Sequence, residues 1–158
     1  MRLTARGRAE MTMPEPKGLE RRPRLKALGR AFDVHFIDTG VPHAVVFVPN
    51  VEKIDVKALG RALRYHKAFG KAGANVDFLT VRDRLVTLRT YERGVEDETL
   101  ACGTGIVAAA AVARALGKAG DRVKVRVRGG DVLHVSFSDG KTSLEGPGEI
   151  IFKGEATL

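Results

Sequence analysis

The sequence is short of three things: cysteine, long apolar runs, and aromatic residues near its start. Only one of the 158 residues, Cys102, is a cysteine, so the chain alone can form neither a disulfide nor a zinc site of several thiolates. No apolar run reaches the roughly 18 residues that a membrane-spanning helix needs. The first 24 residues contain no apolar segment and no small-residue cleavage site, so we expect no secretory signal and a cytoplasmic location.

The formal net charge of +8 is concentrated near the start of the chain. Residues 1–30 carry nine Lys and Arg against three Asp and Glu, whereas residues 31–158 carry 18 against 16. A basic arm of this kind can bind nucleic-acid phosphates. No aromatic residue precedes Phe32, so the arm offers no platform for base stacking. We therefore interpret residues 1–30 as a solvated strand pair and linker, and expect neither a nucleic-acid nor a membrane partner.

Alternation of apolar and polar residues predicts strands along much of the chain. The segment RVKVRVR, two glycines and DVLHVSFS together predict a β-hairpin. Further strands are predicted in AEMTM, DVHFIDTG, HAVVFV, NVDFLTV, LVTLRTY and after SDGK. PEPKGLERRPR, with three prolines and one glycine, predicts an extended connector. The acidic residues Glu96, Asp97 and Glu98 are interpreted as a solvated loop.

Two helices are predicted. Asp55 is a suitable N-cap for a helix that continues to about Tyr65. The second helix, about residues 104–117, is apolar on every side from Ile106 to Ala113, which indicates that it is buried. A buried helix among at least six strands predicts a sheet wrapped around a central helix.

Cys102-Gly103-Thr104-Gly105 lies where this buried helix begins. The first turn of a helix has free backbone N–H groups and a positive dipole end, so it suits a bound carboxylate. The same environment favours a thiolate, and we expect the pKa of Cys102 to be lowered. By this chemistry Cys102 is a nucleophile, a proton-transfer base, or an inert buried thiol.

The run ERGVEDETLACGTG, with DTGVPHAVVFV and GANVDFL upstream, resembles the diaminopimelate epimerases from about residue 36 to the end of the chain. The resemblance implies an α+β half-domain, in which a mixed, mostly antiparallel sheet or barrel surrounds the central helix. It also implies inversion of LL-diaminopimelate to the meso form, in the lysine and peptidoglycan pathway, without pyridoxal phosphate, any other cofactor or metal. Two cysteines on opposite faces of the α-carbon would move the proton.

The resemblance assigns roles to three residues at the helix start. Cys102 matches the catalytic cysteine of the second half of the family's sequence. Gly103 and Thr104 match the groups that hold the α-carboxylate.

Four residues upstream also match the family. Arg93 would bind a substrate carboxylate in a bidentate contact, and Glu92 would bind the substrate ammonium and relay the proton of Cys102. Asn75 matches a substrate-binding asparagine, and His43 a histidine that assists the opposite cysteine. Each has a structural alternative: a surface ion pair for Glu92 and Arg93, a turn-forming residue for Asn75, and a hydrogen-bonded histidine for His43.

The chain departs from the family in two respects. The first-half motif with its own cysteine is absent, so residues 1–30 are interpreted as the crossover from a missing first half and residues 31–158 as the C-terminal domain. Val41 stands where many members have asparagine, which places one substrate contact in doubt.

Four hypotheses follow. The chain is one half of an epimerase that needs the other half as partner; a homodimer in which each copy lends one Cys102; a related isomerase or racemase acting on another substrate; or a non-catalytic binding module.

Overall fold

The computed structural model describes residues 1–4, 7–148 and 154. In these residues it contains eleven strands and two α-helices. The strands are β1 (Arg2–Thr4), β2 (Arg8–Met13), β3 (Lys17–Ala27), β4 (Arg30–Asp38), β5 (Pro42–Phe47), β6 (Asn75–Arg82), β7 (Leu85–Glu92), β8 (Asp97–Thr99), β9 (Arg122–Arg126), β10 (Val132–Ser138) and β11 (Lys141–Pro147). The helices are α1 (Val56–Arg64) and α2 (Gly103–Ala115). Neither is long and apolar enough to cross a membrane.

The described strands form one mixed sheet in the order β1-β2-β11-β10-β9-β7-β6-β5-β4-β3, with β8 paired to β7. Only the β5–β6 and β7–β9 pairs are parallel among the described strands, and all other pairs are antiparallel. The fold is therefore α+β with a mixed, mostly antiparallel sheet, as predicted. The predicted hairpin is β9 with β10, in which His134 lies opposite Lys124.

The prediction of a connector at residues 14–24 is wrong in part. The segment is extended, but from Lys17 onward it is strand β3, which pairs with β4. β3 is the last strand of the sheet, and an edge strand tolerates a proline because one of its sides needs no ladder hydrogen bond. The pairing register shifts between Arg22 and Leu25, around Pro23, so the irregularity that the proline imposes is absorbed locally.

The acidic segment is also more ordered than expected. Asp97–Thr99 is strand β8 against the end of β7. Both side-chain oxygens of Glu98 accept hydrogen bonds from Arg89, at 2.6 and 2.7 Å. Because both side chains are only 11% exposed, this pair belongs to the interior and fixes the loop that leads to Cys102.

The two helices pack against opposite faces of the sheet. α1 begins as predicted, because the Asp55 carboxylate accepts a hydrogen bond from the Ala58 amide at 3.0 Å. Its Leu59 and Leu63 pack with Val76 and Phe78 of β6 in one apolar core.

α2 occupies the centre of the second core. Its residues Ile106 to Ala110, with Val112 and Ala113, pack with apolar side chains from seven strands, β4 to β7 and β9 to β11. Their small volume lets the strands approach the helix closely. The prediction of a sheet wrapped around a buried helix is therefore confirmed.

Candidate active site

Four elements have one terminus at the same end of the sheet, where β5, β6 and α2 begin and β7 ends. The parallel strands β5 and β6 both begin there, and His43 lies opposite Asn75 in their pairing. β7 runs antiparallel to β6, so its last residue, Glu92, lies at the same end of the sheet. α2 begins at Gly103, and the Thr104 carbonyl accepts a hydrogen bond from the Thr39 hydroxyl at 3.2 Å, which attaches the helix start to the end of β4.

Strand alternation decides which side chains face α2. Val45 of β5 and Leu79 of β6 pack in the core around α2. Because every second residue of a strand shares a face, His43, Asn75 and Asp77 lie on the α2 side as well.

The same rule applies to β7. Leu88 packs in the α2 core, whereas Tyr91 packs in the α1 core. Thr90 and Glu92 therefore also face α2. All seven residues to which the sequence analysis assigned a role lie at this end of the sheet: His43, Asn75, Glu92, Arg93, Cys102, Gly103 and Thr104.

Cys102 is the N-cap residue of α2 and is 7% exposed. Its Sγ lies 3.5 Å from the Thr104 hydroxyl. Burial raises the pKa of the Cys102 thiol to about 11, and the nearby Asp77 carboxylate adds to the rise. The expectation of a lowered pKa is therefore wrong. The hydrogen bonds from Thr104 and the Gly105 amide act in the expected direction, but burial and the carboxylates of Asp77 and Glu92 outweigh them.

A buried network that the sequence did not reveal lies behind Cys102. The His43 Nδ1 and the Asp77 Oδ2 are 2.6 Å apart, and both side chains are fully buried. Thr90 donates its hydroxyl proton to the other carboxylate oxygen, Oδ1, at 2.7 Å. The sequence feature that could have revealed this network is the aspartate in the otherwise apolar strand NVDFL, because a charged group in such a strand needs buried partners.

Gly105 explains how this network can approach the helix. A Cβ atom at residue 105 would lie 2.6 Å from the Asp77 Oδ1 and 3.4 Å from the Cys102 Cβ. Only a residue without a side chain therefore allows α2 to pack against the carboxylate. Gly103, in contrast, is exposed, and a Cβ there would make only ordinary contacts, at 3.7 Å or more.

Asn75 joins the strand ends to the Glu92-Arg93 corner. Its amide nitrogen donates to the Pro42 carbonyl at 3.2 Å, and its carbonyl oxygen accepts from the Arg93 amide at 2.8 Å. The side chain therefore connects the start of β5 to the corner after β7. Within the described part of the chain the Arg93 guanidinium makes no ion pair, and it remains half-buried beside the site.

The remaining histidines lie elsewhere. His35 makes an edge contact with the Phe47 ring, and His134 lies 3.2 Å from an Arg8 nitrogen. His66 accepts a hydrogen bond from the Ala68 amide. Among residues 1–4, 7–148 and 154, no group of three or more His, Cys, Asp and Glu side chains is arranged to hold a metal ion.

One narrow crevice beside Cys102 has an empty volume of about 150 Å³. Its lining includes Leu88, Thr90, Thr99 and Val127. Such a volume is too small to enclose an amino acid with a long side chain. Of the seven residues that the sequence singled out, only Cys102 lines this crevice, so the crevice does not enclose the group.

In comparisons with known proteins, the family model and the curated relatives that match this chain carry the same name, diaminopimelate epimerase. The family model for diaminopimelate epimerase matches residues 35–152. A diaminopimelate epimerase of Chlorobaculum tepidum is 46% identical over 133 residues, which are 81% of this chain and 51% of that protein. One of Methanothrix thermoacetophila is 47% identical over 130 residues, 82% of this chain and 45% of that protein. The chain thus spans about half the length of the curated relatives it matches.

Two solved structures share the fold. A probable proline racemase from Agrobacterium radiobacter K84 aligns with a TM-score of 0.67 at 19% identity, over 96% of this chain and 54% of that one. A predicted epimerase from Pseudomonas aeruginosa aligns with a TM-score of 0.65 at 22% identity, over 92% of this chain and 59% of that one. With the family model matching most of its length, this chain belongs to the diaminopimelate epimerase family.

Proposed function

We propose that this chain carries one wall of the active site of a diaminopimelate epimerase, which inverts the α-carbon of LL-diaminopimelate to give the meso isomer. The observation that carries the proposal is the position of Cys102, at the start of α2 and beside the residues that match the family's motifs. The names of the relatives support the substrate.

Proton inversion needs an acid and a base on opposite faces of the α-carbon. With its pKa raised to about 11, Cys102 holds its proton at neutral pH and is suited to act as the acid. Its S–H bond breaks, the electron pair of the α-carbanion forms the new C–H bond, and Cys102 is left as thiolate. In the reverse direction this thiolate removes the α-proton.

The helix start stabilises the charge that develops during the reaction. Backbone N–H groups of the first turn of α2 have no partner inside the helix. At Gly103 and Thr104 they would bind the α-carboxylate, whose negative charge increases as the carbanion forms. Arg93 would bind a carboxylate by a bidentate contact, and Glu92 the substrate ammonium.

In a two-cysteine mechanism the base on the opposite face comes from outside these 158 residues, because Cys102 is their only cysteine. The relatives are about twice as long, which favours a partner equivalent to their other half. A second copy of this chain that lends its own Cys102 is the alternative partner.

The test is inversion of LL-diaminopimelate in deuterated solvent, in which exchange of the α-proton is counted only in the meso product, separated by chiral chromatography and measured by mass spectrometry. Three samples are compared: this chain alone, this chain fused to the part of the Chlorobaculum tepidum relative that it does not match, and the same fusion with Cys102→Ser. We expect exchange only in the fusion that retains Cys102, because serine is a far weaker base than a thiolate.

Exchange by the chain alone would favour the homodimer. A fusion that folds cooperatively but exchanges no proton would contradict the proposed function. Exchange at an unchanged rate in the Cys102→Ser fusion would contradict the role of the thiol. His35→Gln is the matched control, because His35 is buried away from the site and its replacement should leave exchange unaffected.

A further inference from the structure

We propose that Asp77 is a positioning residue of this site: its carboxylate fixes the orientation of the His43 ring and keeps a negative charge beside Cys102. The inference deepens the proposed function and rests on it only for the catalytic role of Cys102. The observations that support it are the different contacts of the two carboxylate oxygens of Asp77, Oδ2 and Oδ1.

The first side holds His43. The Asp77 Oδ2 lies 2.6 Å from the His43 Nδ1, and neither side chain is exposed. A carboxylate accepts hydrogen bonds, so the neutral ring must carry its proton on Nδ1. The lone pair is then on Nε2, which is buried and has no hydrogen-bond partner within the described part of the chain. Asp77 thus selects the tautomer in which Nε2 is able to take up a proton.

The second side faces the start of α2. The Asp77 Oδ1 accepts the Thr90 hydroxyl proton at 2.7 Å, and a Cβ at residue 105 would lie 2.6 Å from this oxygen. The contacts with His43 and Thr90 on opposite oxygens prevent the carboxylate from rotating. Since Gly105 also adjoins Cys102, the charge is held next to the thiol.

No basic side chain other than His43 pairs with Asp77 within residues 1–4, 7–148 and 154. The groups that act on Cys102 from the surrounding elements are Asp77 on β6, Glu92 on β7, and the Thr104 hydroxyl and Gly105 amide on α2 itself. Two carboxylates thus oppose the thiolate and two neutral donors favour it. One carboxylate therefore contacts the ring through Oδ2 and lies beside the thiol through Oδ1.

A buried Asp–His pair can also serve stability alone. The two roles differ in a measurable way, because a positioned charge changes the protonation of Cys102 by more than the loss of a neutral contact does. As the sole cysteine, Cys102 is the only thiol that iodoacetamide can alkylate, and mass spectrometry gives its rate without ambiguity.

The experiment compares the pH dependence of alkylation in the wild-type chain, in Asp77→Asn and in Thr90→Val. Asp77→Asn removes the charge and keeps the shape. Thr90→Val removes the hydroxyl that donates to the same carboxylate but leaves the charge in place.

We expect Asp77→Asn to shift the midpoint of the alkylation profile to lower pH, and Thr90→Val to shift it clearly less, because the charge is kept although the carboxylate loses one of its two fixed contacts. A downward shift of one unit raises the thiolate fraction about tenfold. It lowers the intrinsic nucleophilicity about threefold, so the rate near pH 8 should rise about threefold. Because burial also raises the pKa of Cys102, a looser fold would lower the midpoint as well. Thr90→Val, which disturbs the same network without removing the charge, would then shift together with Asp77→Asn, and equal shifts in the two variants would overturn the proposal. An unshifted midpoint in Asp77→Asn would overturn the proposal.

The ring provides a second measurement, which needs no variant. Nitrogen-15 NMR of the wild-type chain should show that the neutral His43 ring carries its proton on Nδ1 and has a pyridine-like Nε2. A neutral ring with its proton on Nε2 instead would overturn the proposal, even if Asp77→Asn fails to fold. Neither measurement uses epimerisation, so a fused chain that exchanges no α-proton would refute the proposed function and leave these two results interpretable.

Discussion

Two glycines at the start of α2 make a sharp test of how closely this helix approaches the buried carboxylate. Gly103 and Gly105 lie in the same turn, but only Gly105 faces Asp77. We expect Gly105→Ala to lower the free energy of unfolding and Gly103→Ala to leave it unchanged or raise it slightly.

The magnitudes follow from the contacts. At residue 103 the atom nearest to an added Cβ would be 3.7 Å away, which is an ordinary contact. The higher helix propensity of alanine should therefore raise the free energy of unfolding of Gly103→Ala by up to about 0.5–1 kcal/mol. At residue 105 the Cβ would lie 2.6 Å from the Asp77 Oδ1 and 3.3 Å from the Thr90 Oγ1. Overpacking costs about 1–3 kcal/mol, and each buried hydrogen bond that breaks leaves a polar group whose desolvation costs a similar amount. We therefore expect the two variants to differ by about 2–4 kcal/mol.

The assay is urea unfolding followed by far-ultraviolet circular dichroism, because the chain has no tryptophan. With a slope of about 1–3 kcal/mol per molar urea for a domain of this kind, the midpoints should differ by about 1 M or more. Equal midpoints for the two variants would refute the reasoning, since they would show that the Asp77 carboxylate moves away from the helix without cost.

Three further predictions concern stability. Arg89→Met should cost up to about 3–5 kcal/mol, because it leaves the buried Glu98 with only the longer 3.7 Å pair to Arg128. Lys57→Met, which breaks an exposed pair, should cost less than about 1 kcal/mol; urea unfolding measures both, and equal losses would contradict the distinction. Asp55→Ala should cost about 1 kcal/mol in the same assay because α1 loses its cap, and an unchanged midpoint would show that the cap contributes nothing. Burial lowers the pKa of His35, so the unfolded state binds its proton more readily, and thermal stability should fall from about pH 7 to pH 5 more steeply in the wild type than in His35→Gln; parallel pH profiles would oppose this.

Much of the fold follows from local sequence patterns. The strict alternation of Val123 and Val125 with basic residues predicted β9, and both valines are buried. The alanine-rich run after Ile106 predicted a buried helix, because no face of it is polar enough for solvent. In both cases the local pattern and the tertiary environment favour the same structure.

The predictions that proved wrong concern residues at which the tertiary context outweighs the local sequence pattern. Pro23 indicated a connector, but its position on an edge strand removes the cost of the missing N–H group. The pKa of Cys102 was expected to fall because the helix start is visible in the sequence, whereas the opposing effects are not. Burial depends on the packed fold, and Asp77 comes close to Cys102 only through the pairing of β6 beside α2.

The distribution of contacts separates folding from catalysis in this chain. The core around α2 draws its apolar side chains from seven strands of the same chain, and the core around α1 is likewise formed within it. Hydrophobic burial, the main favourable contribution to folding, is therefore available without a facing domain. Inversion, in contrast, is not available to the chain alone, because it needs groups on two faces of the α-carbon and Cys102 provides one of them. The chain alone should consequently unfold cooperatively in urea yet form no meso isomer from LL-diaminopimelate, and a non-cooperative transition would show that the facing half stabilises the fold as well as completing the site.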